Sequence, residues 1–431
     1  MSREHYLGEL QTLADSVPEA VSHLRKRALD VFASLSFPTT REEDWRFTNV
    51  SPATKIPFHN TALEPAAKVS TQDILPYLAD AAGWRIVFVD GRYSETLSNL
   101  PREFVAGNLF HADKGDSVLQ QFLGALVPAD HNAFTAWNTA SLQDLAFLRI
   151  PSGFQGLSPV YVLFVSTASE DAVSFPRTLA LLDKGSQATL VESYVTLDEG
   201  RVLTNAVTEV VLGEGAVLQH VKLQQESSRG YHIASTHVSQ GRDSSYTSLS
   251  VTLGSGLSRD DLCVTLAGPG GDCTLNGLYL IGGEQHTDHH TTIDHATPHG
   301  TSRELYKGIL DGKGRAIFNG RIIVRKDAQK TDAEQTNRNL LLSPAARVNS
   351  IPQLEILADD VKCRHGATIG HLDEDAMFYL QARGISEASA RRMLMQSFVR
   401  EVTDRITTER VRESVEHMVL SRLLEFTGGV A

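Results

Sequence analysis

A chain of 431 residues can bury a large core and form about two or three domains without disulfide staples. Its formal charge of -12 opposes phosphate backbones and sets nucleic acid aside as a partner, while three cysteines, Cys263, Cys273 and Cys363, are too few and too odd in number for a disulfide framework, so free thiols are expected. No apolar run approaches the ~18 residues of a membrane span, and the opening Met-Ser-Arg-Glu-His-Tyr-Leu-Gly-Glu-Leu breaks its apolar positions with acids, so no membrane association, no secretory leader and a cytoplasmic address are the expectations.

Pro18 opens a segment with Val21, Leu24, Ala28, Val31, Phe32 and Leu35 at helical spacing, closed by Phe37-Pro38, which predicts an amphipathic helix. A second short helix is expected around Ile74 to Ala82. Between them the charged stretch 39–48 carries two aromatics two residues apart and suits a surface segment anchored by Trp45 and Phe47. Ile86-Val-Phe-Val-Asp-Gly91 reads as a buried strand and turn.

From about Pro159 to Gly370 the texture changes to short β-branched runs between glycine turns, with no strong helix. The turns Lys184-Gly-Ser186, Gly213-Glu-Gly215, Gly241-Arg-Asp243 and Gly268-Pro-Gly-Gly271 recur at about 28 residues, a period of stacked repeats. A β-sandwich would place turn signals every ~8 to 12 residues, so a β-helix or similar solenoid is preferred. After Asp373 the pattern turns helical, with one stripe of Met393, Leu394, Phe398, Val402 and Ile406 and another of Val411, Val415, Met418, Val419 and Leu423. Two closing helices are expected, to cap the solenoid or to present a face to a partner. The division is a largely helical N-terminal domain over 1–110, a β-core over 111–372 and a helical C-terminal domain over 373–431.

Standard catalytic patterns are missing. Gly308-Ile-Leu-Asp-Gly-Lys-Gly314 lacks the spacing and the Ser/Thr of a phosphate-binding loop and reads as a β-turn, and no H-E-x-x-H, C-x-x-C or G-x-S-x-G occurs. Two constellations remain. In the first, His286, His289, His290, His295 and His299 cluster, and on a strand His286, Asp288 and His290 share one face, a conceivable zinc or ferrous site built on His286 and His290. Hydrogen-bonded histidines in stacked polar ladders are the preferred role for them; a metal-dependent β-helix enzyme using the 286–299 cluster is the alternative function. In the second, Cys363 and His365 point to one face of a strand about 6.5 to 7 Å apart, with Lys362 and Arg364 on the other. A thiolate is the form that binds iron or accepts sulfur, and nearby cations favour it. Stable zinc and iron-sulfur sites take about four protein ligands, so this pair is half a site whose other ligands come from a partner.

The segments Asp311-Gly-Lys-Gly-Arg-Ala-Ile-Phe-Asn-Gly-Arg-Ile-Ile-Val324, Ala333-Glu-Gln-Thr-Asn-Arg-Asn-Leu-Leu-Leu342, Pro352 to Cys363, His365-Gly-Ala-Thr368 and Phe378-Tyr-Leu-Gln-Ala-Arg-Gly-Ile-Ser386 closely resemble the SufB/SufD family from about Arg303 onward, and Glu43-Asp-Trp-Arg-Phe-Thr48 fits its N-terminal region. The resemblance implies a mainly β fold, a right-handed parallel β-helix flanked by helical terminal domains. It also implies a non-enzymatic scaffold acting with SufB and the ATPase SufC in assembling nascent iron-sulfur clusters. The cluster would be transient, formed at the interface with SufB and not held stably by the chain alone; His365 transfers as the foremost ligand and Cys363 as the second. Helices of about 386–426 become the expected SufC docking surface. The Cys-Arg-His-Gly-Ala-Thr version of the site segment, where SufB-like chains carry Glu-His-Glu-Ala-Thr, favours the SufD branch. Arg364 departs from the small residue expected there. For the isolated chain, monomer and homodimer both stand.

Overall fold

The computed structural model describes residues 2–13, 17–63, 67–80, 82–112, 118–156 and 158–426. Its body is a mainly β, parallel solenoid of about seven turns, flanked by N- and C-terminal helices. The chain passes alternately between two sheets. The back sheet runs in order through Trp84–Val89, Val160–Ser166, Gln187–Thr196, Val217–Gln225, Ser245–Thr252, Asp272–Ile281, Thr301–Leu310, Asp332–Leu341 and Lys362–Gly370. The front sheet runs through Ala146–Ile150, Arg177–Leu182, Arg201–Leu212, Tyr231–Gln240, Leu257–Leu266, His286–His295, Arg315–Val324 and Arg347–Ile356. From Gln187 onward, successive back-sheet strands begin 27 to 31 residues apart, which is the period the glycine turns set. The 311–314 segment is the expected turn, with Gly312 at φ 59° and Lys313 paired to Glu284 at 2.8 Å.

Side chains of alternate residues point into the lumen and stack on their register partners, as the two-residue period requires. Apolar layers such as Ile281–Leu310 and Ile293–Ile322 fill much of it. Bulky rings fit because glycine stands beside them: a Cβ on Gly277 would meet the Tyr306 ring at 2.1 Å, and one on Gly308 would meet Tyr279 at 2.0 Å. Trp84–Val89 pairs in parallel with Val160–Ser166, so the first rung draws on residues on both sides of position 110. That end is closed by antiparallel partners, Arg92–Tyr93 on the back sheet and Val105–Gly107 on the front. Among the described residues the other end has no cover: Lys362–Gly370 and Arg347–Ile356 are the outermost strands, and all of their residues are exposed or half-buried.

Helix α1 (Ser2–Thr12), α2 (Glu19–Ser34) and α3 (Ala133–Ala140) pack on the outer face of the front sheet, where Tyr6, Phe32, Phe134 and Trp137 meet Val173, Leu203, Ile233 and Leu257. The expected helix at Ile74 to Ala82 lies earlier, as Thr71–Ile74 and a 3-10 turn Leu75–Tyr77. A Ser70 cap bonded to Asp73 fixes its start, and Pro76 tolerates only the first turn of the short helix that follows. Ala81 lies outside the described residues. Among the described residues three helices, not two, follow the solenoid: α4 (Glu374–Ala382), α5 (Glu387–Thr403) and α6 (Glu409–Phe426). α4 escaped the periodicity because its apolar residues 377–380 are consecutive. The buried stripe of α5 is Met395, Val399 and Val402, rotated from the expected Met393 and Leu394, and it packs with Val411, Val415, Val419 and Leu423 of α6 on the outer face of the back sheet.

Candidate functional site

Strand Lys362–Gly370 has one neighbour, Asp332–Leu341, in register Ala333 to Cys363 and Gln335 to His365. Ala333 and Gln335 are buried inward residues, so Cys363 and His365 continue their columns into the lumen at its open mouth. Cys363 is half-buried against the lumen core, and His365 is exposed. Arg364 points the other way and pairs with Glu334 at 2.6 Å, which absorbs the residue that departed from the family pattern. The expected cationic help for a thiolate is therefore absent on the cysteine's face. Burial, followed by the charge of Asp332, pushes the Cys363 thiol above its ordinary value. That shift favours the thiol form of Cys363, whereas the thiolate is the form that would bind a metal.

Beneath these two residues lies a polar column the sequence reading missed. His365 stacks on Gln335, and Gln335 stacks on Glu304. Glu304 is buried, and neither of its oxygens meets a hydrogen-bond partner of good geometry, Thr291 and Gln335 being the nearest polar relief. Burial pushes its carboxyl up to about 7. Parity puts Glu304 on one face with Ser302, Tyr306 and Leu310, and only the folded solenoid makes that face the lumen. Further along the lumen Lys222 meets Asp260 at 2.8 Å, Glu192 accepts from Thr178 and Thr208, and His220 bonds Tyr246.

The 286–299 histidines divide. His286 and His290 share one face, as the strand period required, and that face is outward, with Asp288 between them; His289 and His295 face the lumen, and His299 sits in a turn at φ 63°. Thr48 bonds both His286, at 3.0 Å, and Asp288. His290 and Arg259 reach Asp288 at 3.0 and 2.9 Å, and Arg259 lies 3.8 Å over the Trp45 ring. Burial alone would raise Asp288, but Arg259 and then His290 outweigh it and hold the carboxyl well below the usual range. The network thus locks the charged N-terminal segment onto the front sheet through Trp45 and Thr48, whereas Phe47 is 42% exposed. Inside, His289 stacks on Tyr279 and His295 bonds Ser302 at 2.9 Å; burial holds both imidazoles down to about 4. Among the described residues no three His, Cys, Asp or Glu side chains are grouped to hold a metal.

A two-sheeted parallel solenoid with one closed end and a cysteine-histidine pair at the open one defines a class. The chain belongs to the SufB/SufD family of iron-sulfur cluster assembly proteins: residues 164–398 match the model "SUF system FeS cluster assembly, SufBD core domain" and residues 3–162 match "SufBD protein N-terminal region". It is 31% identical to the iron-sulfur cluster assembly protein SufD of Escherichia coli, across 97% of this chain and 96% of that one. An iron-sulfur cluster assembly SufBD family protein of Synechocystis is 34% identical across 93% of this chain and 90% of its own. A chloroplastic protein of Arabidopsis thaliana, ABCI7, is 33% identical across 95% and 89%. Membership in this family implicates the chain in iron-sulfur cluster assembly.

Proposed function

We propose that the chain is a non-enzymatic, cytoplasmic scaffold subunit that joins SufB through the open end of its solenoid and docks the SufC ATPase on its C-terminal helices. His365, and second Cys363, then act as ligands to a nascent cluster shared with SufB. The cluster is cargo, held transiently in the complex and not by the chain alone. The observation that carries this reading is the half-site: a thiol and an imidazole on one face of the last rung, with no described neighbour beyond it. An unpaired parallel strand edge is suited to accept a further strand from another chain. On α4, Phe378 and Tyr379 are 72% and 57% exposed, an apolar face suited to a partner. As candidate metal ligands His286 and His290 have a weaker case, since the bonds to Thr48 and Asp288 already employ them.

The test is co-production with SufB and SufC followed by cluster reconstitution. The chain alone should hydrolyse no ATP. His365→Ala and Cys363→Ala should leave the three-subunit complex intact and lower its cluster yield, His365→Ala the more. Full yield from both single variants and from the double variant would refute the interface site. Failure of the chain to bind SufC in a pull-down would refute the docking role separately.

A further inference from the structure

The charged segment ending at Thr48 and the His286–His295 strand take no part in the open-end site, yet both border one cavity of about 250 Å³ on the outer face of the front sheet. Its floor has a row of outward side chains in register, His237, Cys263, Thr292 and Arg321, each from a successive strand. Strands sit about 4.8 Å apart, so the row spans roughly 14 Å. Asp44 and Trp45 make one wall. His131 closes the end opposite Arg321, its ring edge-on to His237 at 5.2 Å.

The polar groups here are unevenly matched. Arg259 is met by Asp261 and Asp288, and elsewhere on the same sheet Arg177 is met by Glu209 and Arg325 by Asp294. Arg321, half-buried in the cavity, pairs with no carboxylate among the described residues. Beside it the Asn319 side-chain oxygen accepts from Gln353 at 3.2 Å, which leaves its amide N–H groups as donors, and Thr292 adds a hydroxyl. Both oxygens of Asp261 are already engaged by Arg259, at 3.2 and 2.8 Å. The end at Arg321 is therefore rich in unused donors, and among the described lining residues Asp44 is the one carboxylate left to oppose an anion. A water occupies about 30 Å³ of liquid, so the space exceeds what an inorganic ion needs and admits a small organic body.

We propose that this cavity binds a small organic oxyanion, its carboxylate or phosphate group on Arg321, Asn319 and Thr292, and its polar remainder toward the His131 and His237 rings. The site is separate from the open end and independent of the scaffold reading.

Calorimetric titration of the full chain with malonate, glycerol 3-phosphate and inorganic phosphate tests it, the first two distinguishing a carboxylate from a phosphate head group. One of the organic anions should bind, and more tightly than inorganic phosphate. Arg321→Gln should weaken that binding about tenfold or more, the scale of one charge-assisted hydrogen-bonded contact. Arg315→Gln, an exposed arginine at the start of the same strand and outside the cavity, should leave it unchanged. Thr292→Val, nearly isosteric, should weaken it less, and it carries the test if Arg321→Gln does not fold. The proposal is overturned if none of the three anions binds, if Arg321→Gln or, in its place, Thr292→Val titrates like the unaltered chain, or if Arg315→Gln loses as much, which would mean an adventitious ion only.

Discussion

Glu304 has a raised carboxyl, and its sign matters. Between its ordinary 4.5 and the value of about 7 that burial imposes, the folded chain keeps a proton that the unfolded chain has released, so stability falls as pH rises through that window. Glu304→Gln removes the penalty and should stabilise the chain by roughly 3 kcal/mol at most near pH 8 and by almost nothing near pH 4. Urea unfolding at the two pH values reads this; equal effects at both would mean that folding does not raise the Glu304 carboxyl above its ordinary value. Asp260 acts in the opposite sense: burial would raise it, but Lys222 holds it down to about 2, so the stability it lends is present above 3.8 and is lost as pH falls toward about 2. At this scale the sequence was legible wherever a face could be read by parity. Cys363, His365, His286 and His290 all point as a two-residue period demands. Parity cannot say which face is the lumen, and so the stack of His365 on Gln335 and Glu304 stayed hidden, as did the fate of Arg364, which depends on a glutamate thirty residues earlier.

Each terminal region is fastened to its sheet by apolar packing and by a polar lock, fully buried at the front and partly exposed at the back. At the front, Arg177 and Glu209 are fully buried, and Glu209 also accepts from the backbone N–H groups of Gly124, Leu126 and Val127. Arg177→Met leaves that carboxylate without its cation and should cost about 3–5 kcal/mol, measured by denaturant unfolding. At the back, Lys307 and Arg338 converge on Glu401 of α5, at 2.6 and 3.2 Å, and Arg405 reaches Asn276 at 2.8 Å. Leu423→Ala in α6, a fully buried position, should cost about 2–5 kcal/mol and should speed hydrogen exchange in α5 and α6 before it does so in the solenoid. The closing helices were visible as stripes, but their rotation was not. Met393 satisfies the helical period as well as Met395 does, and only the Val221, Leu278 and Leu305 surface of the back sheet decides which is covered. α4 was illegible because an exposed helix that packs on little leaves no periodic trace.

For the molecule as a whole, the glycine turns announced a repeat near 28 residues, and the observed 27 to 31 residues between back-sheet strands is that repeat with its loops varied. What the period could not tell was that the two ends differ. Rungs of a solenoid are stabilised by their neighbours, so a rung with one neighbour opens first. In the dilute isolated chain the amides of Lys362–Gly370 and Arg347–Ile356 should exchange faster than those of Asp272–Ile281, and should slow when SufB is added. Slow exchange at every dilution would mean that the end is not open. Because short antiparallel strands cap the main path of both sheets at the opposite end, the open rung is the one long parallel edge among the described residues. Joined there to a second solenoid, as proposed above, it would leave at its far end only short strands, Arg92–Tyr93, Val105–Gly107 and the two-residue strand His59–Asn60 on a side branch of the front sheet. A subunit with two open ends would grow into a fibre; one built like this would end the stack.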